Sequence, residues 1–336
     1  MRDSEKSVEF RGLSSQDLHG MNTRKLRYRL EYAVFCTIVF VIQSLPLKTA
    51  ERLTDMLAKV IHRLPGKFNR RDVAVDNIRR SFGDLSENQI DNMILGMWKH
   101  LFRMVFEITH IRRRLRLETS TNILDFFQRE QCVSAVLSGR KVIFLGGHFG
   151  NWEISVNTFG HFGFPMGVIA RDLDNPWLHK WFLDYRESSG NWIISKSGGG
   201  TDLVNSLETC GMASLLCDQD AGGRGIFVDF FGRPASTFKS IALLALEYDA
   251  ILIVGGGRRL ERTESTRTNW VPFELSTQAV IDSRDFDSSN ALSELTQAYT
   301  TALEQLIRRS PEQYFWVHRR WKSEPRRRNR ASQKAA

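Results

Sequence analysis

Short apolar runs recur along the second two-thirds of the chain, at Lys141–Leu145, Gly167–Ala170, Trp192–Ser195, Ala213–Cys217, Ile226–Phe230 and Ile251–Gly255. Runs of this length, bounded by glycine or polar residues, predict buried strands. Between many of them the spacing turns helical. Asn175-Pro176 supplies a cap and a proline at the first helical position, and Gly190 supplies the stop. Within that helix Leu178, Trp181, Phe182 and Tyr185 form an i, i+3, i+4, i+7 stripe, which reads as core packing rather than a ligand groove. Further upstream, Ser86 with Gln89 caps a long helix whose inward stripe is Ile90, Met93, Ile94, Met97, Trp98, Leu101 and Met104. Gly198-Gly199-Gly200 and Gly255-Gly256-Gly257 read as turns, and Glu261–Asn269 as a polar surface loop. Strands alternating with helices predict an α/β fold, an αβα sandwich built on a largely parallel mixed sheet.

The amino-terminal part has a different pattern. No residue from Tyr32 to Leu47 is charged. The stretch falls short of the roughly 20 residues of a comfortable span. It also starts late and lacks a small-residue cleavage site, which excludes a signal peptide. It predicts an N-terminal membrane-anchor helix, entered from the cytoplasmic side where Arg24, Lys25, Arg27 and Arg29 lie. A buried core helix is the competing reading. The expected organisation is a flexible polar N-terminus over 1–22, an anchor region over 23–50, one catalytic domain over 51–325 and a basic flexible tail over 326–336.

Charge narrows the partners. The 336 residues carry a formal net charge of +9, which points to a polyanionic partner. The basic clusters lie at Arg24–Arg29, Arg112–Arg116 and from Arg319 into the tail, without any RNA- or DNA-binding signature. Nucleic acid is therefore not expected; lipid headgroups or an acidic carrier protein fit better. Cys36, Cys132, Cys210 and Cys217 have no metal-ligand spacing, so a reduced, cytosol-facing body without a bound metal is expected.

The candidate chemistry sits in the middle. Val142-Ile143-Phe144-Leu145-Gly146-Gly147 leads into His148-Phe149-Gly150-Asn151-Trp152-Glu153, a strand, a glycine turn and a helix start. Such a junction presents an imidazole and a carboxylate at the carboxyl edge of a sheet. His148 is the natural general base, because its ordinary pKa lies near working pH. Glu153 would orient the ring and stabilise the imidazolium, although the reverse assignment is open at this level. No Gly-x-Ser-x-Gly elbow occurs, and Cys217 lies within an apolar run. No covalent enzyme intermediate is expected.

Four segments in order carry a resemblance: Gly147–Glu153; Arg171-Asp172-Leu173-Asp174-Asn175-Pro176; Asp218-Gln219-Asp220 leading to Phe230–Thr237; and Pro311–Lys322, which contains Tyr314-Phe315-Trp316-Val317-His318-Arg319-Arg320-Trp321. Together they resemble the lipid A late acyltransferases (lauroyl or myristoyl acyltransferases), a branch of the lysophospholipid acyltransferase superfamily. The resemblance implies an enzyme on the cytoplasmic face of an inner membrane. It would need no cofactor, and would move an acyl chain from acyl carrier protein to a hydroxyl of a lipid A precursor. A lysophospholipid, ornithine lipid or glycolipid is the alternative acceptor.

On the same grounds Arg171 becomes an oxyanion donor or phosphate clamp, with an ion pair to Asp172 or Asp174 as the competing role. Asn151, Asp218, Asp220, Arg233 and Arg320 are the candidate substrate-binding residues; the alternative is capping of the turn for Asn151, holding Arg171 or another arginine for the two aspartates, and support of the site for Arg320. Two positions depart from the pattern: Ala170 stands where tyrosine is frequent, and Ser240 where glycine is.

Overall fold

The computed structural model describes residues 15–195, 199–264 and 266–325. Its helices are α1 (Ser15–Ser44), α2 (Leu47–Arg63), α3 (Gly66–Asn69), α4 (Arg71–Phe82), α5 (Glu87–Arg114), α6 (Leu117–Ile123), α7 (Arg129–Val136), α8 (Trp152–His161), α9 (Pro176–Glu187), α10 (Gly199–Thr209), α11 (Lys239–Glu247) and α12 (Ala291–Arg308). The strands are β1 (Leu124–Phe127), β2 (Val142–Gly146), β3 (Gly167–Ala170), β4 (Trp192–Ser195), β5 (Met212–Leu216), β6 (Ile226–Phe230), β7 (Arg233–Thr237), β8 (Ile251–Arg259) and β9 (Phe273–Asp282).

Seven strands form one sheet in the order β1-β9-β8-β2-β5-β3-β4. All pairings in it are parallel except β8 with β9. The sandwich follows from the two faces of β2. Ile143 and Leu145 join a core with Leu203 of α10, Ile241 of α11 and Leu303 of α12. Val142 and Phe144 join another with Cys132 of α7 and Phe159 of α8. Successive side chains point to opposite faces, so a strand apolar at every position must be covered on both.

The caps form as expected. Ser86 and Gln89 make a reciprocal capping box on α5. The Asn175 side chain accepts from the Trp177 and Leu178 amides, with Pro176 at the first helical position of α9. Other expectations need correction. Ile226–Phe230 forms β6 but leaves the main sheet and pairs only with β7, in a two-stranded hairpin. Gly255-Gly256-Gly257 is no turn: β8 runs straight through it beside β9, with a register shift between Val254 and Gly255. A Cβ on Gly255 would lie 2.3 Å from the Ser276 carbonyl oxygen, so close passage of the neighbouring strand, not chain reversal, requires glycine there. In the second glycine run, Gly199 and Gly200 open α10, while Gly198 lies outside the described residues.

The amino-terminal helix also differs. Among the described residues no helix is long and apolar enough to cross a membrane. α1 begins at Ser15, inside the stretch expected to be loose; residues 1–14 and the basic tail 326–336 lie outside the described residues. Along α1, Phe35 packs edge-on to Trp181 of α9, and Asn175 Nδ2 donates to the Tyr28 carbonyl and to Glu31. Val34, Ile38, Phe40 and Val41 nevertheless remain exposed, so the charge-free stretch is not a buried core helix.

Candidate active site

The register of β2 and β5 brings the central pair together. Gly146 sits opposite Leu216 on adjacent parallel strands, and two residues beyond each lie His148 and Asp218. Both chains leave the same sheet edge in the same direction, which makes the two side chains neighbours. The His148 amide donates to Asp218 Oδ2 at 2.8 Å, and its Nδ1 lies 2.8 Å from Oδ1. Asp218 is fully buried. Burial alone would raise its pKa, but the adjacent His148 ring, two hydrogen bonds from that residue and nearby His318 bring it down to about 2. The carboxylate is therefore ionised and can only accept, so Nδ1 carries the hydrogen and the basic lone pair of His148 is on Nε2.

The sequence points to Glu153 for this orienting role, but the carboxylate bonded to the His148 ring is that of Asp218. Glu153, in the first turn of α8, is an ion-pair partner of Arg186 from α9, which donates to its two oxygens at 2.7 and 3.2 Å. Sequence reading missed Arg186, and no motif around it offers a signal. The Asp218 signal was present, because an acid two residues past an apolar run is placed like a histidine two residues past the neighbouring run.

The turn carrying His148 is held from below by α5. Gly150 adopts φ +57°, and a Cβ there would fall 2.2 Å from the Gly257 carbonyl oxygen. The Asn151 amide donates to that same oxygen at 2.7 Å. Asn151 caps α8 through the Ile154 amide and donates its Nδ2 to buried Glu107. Arg259 bonds Glu107 and donates to His100 Nδ1, which leaves His100 Nε2–H to donate to the Gly150 carbonyl at 3.1 Å. Burial, aided by Arg259, holds the His100 pKa well below its ordinary range. Phe315 and Gln313 complete the support: the Phe315 amide donates to the His148 carbonyl, and Gly150 donates to Gln313.

Around the imidazole, Trp152 stands edge-on at 5.3 Å and His318 stacks at 5.7 Å with 14° between planes. His318 Nδ1 is buried and makes no hydrogen bond. Burial lowers the His318 pKa, and His148, Arg320 and Arg70 act in the same direction against Asp218. Cys217 precedes Asp218, and burial together with that carboxylate pushes its thiol up to about 12. A thiolate nucleophile is not available there near neutral pH.

His148, Trp152, Glu153, Arg186 and Gln219 are among the residues lining a cavity of about 710 Å³. Its walls are otherwise mostly apolar, including Val168, Ile193, Leu203, Leu215, Leu216 and Leu244. Such a volume falls within the roughly 300–1,000 Å³ of small-molecule sites. The cavity exists because two strands part. β3 pairs with β5 only at Gly167–Ala213 and Val168–Ser214. Past that point Ile169 and Ala170 on one side, and Leu215 and Leu216 on the other, become cavity wall. Phe182 lines it too, so the α9 stripe combines core packing with a contribution to the groove. The two departures noted above, Ala170 and Ser240, are both wall residues.

The remaining candidates divide by burial. Arg171 is exposed and lines the cavity mouth, while Asp172 accepts from Ser195 rather than pairing with it. Asn151 and Arg320, candidates for touching substrate or for supporting the site, are 0% and 2% exposed, and each bonds within the protein. Arg320 donates to the Ser236 carbonyl and Thr237 Oγ1, tying the C-terminal segment to β7. Asp220 accepts from the Ser323 amide and hydroxyl, pinning the same segment. Arg233 lies over the Trp321 ring at 4.4 Å and is not part of the cavity wall.

The family model of bacterial lipid A biosynthesis acyltransferases matches residues 20–323. The chain is 29% identical over 164 residues to a phosphatidylinositol mannoside acyltransferase of Mycobacterium tuberculosis, covering 46% of this chain and 49% of that one. Against the Mycolicibacterium smegmatis protein of the same name it is 27% identical over 210 residues, 60% of each. It thus spans about half to three-fifths of these relatives. The match to the Escherichia coli lipid A biosynthesis lauroyltransferase is 24% over 291 residues, 83% of each chain.

Proposed function

Because the chain belongs to the bacterial lipid A biosynthesis acyltransferase family, we propose that it transfers a fatty acyl chain from an acyl thioester to a hydroxyl of a saccharide lipid. The observation that carries this reading is the His148–Asp218 pair, with His148 lining a mostly apolar cavity. The acyl chain lies in the fork between β3 and β5, which sets the thioester carbonyl beside His148. Nε2 takes the proton of the acceptor hydroxyl as its oxygen attacks the carbonyl. Asp218 stabilises the imidazolium through Nδ1–H. The tetrahedral intermediate collapses with cleavage of the carbon–sulfur bond, and the proton passes from His148 to the departing sulfur. Arg171 supplies positive charge at the mouth, where an oxyanion or a lipid phosphate would sit.

The donor we favour is acyl carrier protein, whose acidity suits the basic surface, and the acceptor a lipid A precursor at the cytoplasmic face of the inner membrane. Similarity to phosphatidylinositol mannoside acyltransferases makes a mannosylated or other glycolipid the second choice of acceptor. Purified protein incubated with acyl carrier protein charged with a labelled acyl chain and a tetraacylated lipid A precursor tests both. Acylated product from wild type and none from His148→Ala is expected. No product on that precursor or on a glycolipid panel, from folded protein, would refute the reading.

A further inference from the structure

The helix α2 is built inside out. Its buried positions are small, Ala50, Thr54 and Ala58, and pack toward α5, to which Asp55 is also tied through Arg103. Its large apolar residues Leu53, Met56, Leu57 and Val60, with Leu64 at the cap, point outward and are exposed. They recur at i, i+3, i+4, i+7 and i+11, one continuous stripe. Arg52, Lys59 and Arg63 follow the same spacing one residue earlier, which places an exposed basic row about 100° round the helix from the stripe. Lys67 and Phe68 of α3 extend both features. Across positions 47–68 the exposed residues are Lys48, Thr49, Arg52, Leu53, Met56, Leu57, Lys59, Val60, Arg63, Leu64, Pro65, Lys67 and Phe68, with no acid among them.

We propose that this face of α2 and α3 seats the protein on an anionic bilayer, with the helix lying in the interface plane and not spanning it. An apolar stripe flanked by cations and free of acids matches a headgroup–acyl boundary of negative surface charge. α5 carries α2 on one side and bonds the Gly150 carbonyl through His100, so the seated face is one helix away from the His148 turn.

The test is flotation of the full chain with phosphatidylcholine vesicles, with and without phosphatidylglycerol. It reads binding without turnover, so its failure leaves the acyl-transfer reading standing. Wild type should float with the anionic vesicles. Met56→Glu/Val60→Glu should weaken partitioning by roughly ten-fold per side chain, and Arg52→Glu/Lys59→Glu/Arg63→Glu should abolish the preference for phosphatidylglycerol. Leu137→Glu, an equally exposed apolar site outside this face, should float like wild type. Circular dichroism matching wild type establishes that the variants are folded. With a nitroxide quencher series, a fluorophore on Leu57→Cys should respond to shallow and not to mid-bilayer labels. Glutamate variants that float unchanged would overturn the proposal. So would quenching from the bilayer centre, or a dimer that Leu57→Glu dissociates while flotation stays the same.

Discussion

The assignment of Asp218, rather than Glu153, as the carboxylate behind His148 is open to a direct contest. Asp218→Asn keeps the shape and can still accept from the His148 amide, but it removes the charge. In the folded protein the Asp218 pKa falls from its ordinary 3.8 to about 2, a difference of about 2 kcal/mol in favour of the ionised form. Burial opposes that shift, so the attraction to His148 is larger than the net figure. If the imidazolium of the transition state feels only this much, the loss is roughly thirty-fold in kcat/KM. Loss of the tautomer and ring orientation adds to it, toward the ~10⁴-fold seen when the equivalent triad carboxylate becomes an amide.

The assay is initial rate against acyl-thioester concentration for Asp218→Asn and Glu153→Gln, with thermal melts in parallel. Asp218→Asn should lower kcat with little change in KM. Glu153→Gln should act through Arg186, raising KM and lowering the melting temperature. An Asp218→Asn enzyme within about three-fold of wild type, well short of that thirty-fold floor, beside a dead and fully folded Glu153→Gln enzyme, would refute the assignment.

Other outcomes follow from the same geometry. Gly150→Ala should be destabilised by at least 1–3 kcal/mol, read by chemical denaturation, because its φ is +57° and its Cβ would strike the Gly257 carbonyl. His100 stays neutral in the fold, since burial lowers its pKa from 6.5. Its stabilising contribution is therefore complete above about pH 6.5 and drains away as pH falls below, by up to about 1.4 kcal/mol per pH unit. His100→Gln should flatten the acid side of a stability–pH curve by one proton, and an unchanged slope would contradict this. Val168→Phe should fill the point where β3 and β5 part and shift donor preference to shorter chains. Each methylene denied burial costs about 0.8 kcal/mol, roughly four-fold, and an unaltered chain-length profile would disprove that location for the acyl chain.

Much of this site could be read from residue order, because strand ends and motif spacing are local. The β2 run and its glycines placed His148 at the sheet edge, and the Asn175-Pro176 cap placed α9. What escaped the sequence depends on which strands become neighbours. Asp218 meets His148 only because β5 inserts between β2 and β3, while Glu153, five residues away in sequence, turns with α8 toward Arg186. Gly255–Gly257 misled for a related reason: glycine serves close strand passage as well as reversal, and only the partner strand distinguishes them. β1 and β9 lack strong local signals. Of the basic residues, Arg320 looked like a headgroup ligand until its burial beneath β7 was known.

The parting of β3 from β5 has a consequence for how such an enzyme could diversify. The floor of the cavity is a register decision: one more paired residue would close it by about 3.3 Å of strand, and one fewer would open it by as much. Ladder pairs can be gained or lost by small changes at Ile169 or Leu215, while His148 stays fixed by β2 and α5. Chain-length preference would then drift like the slider of a zipper, leaving the catalytic teeth at the top engaged.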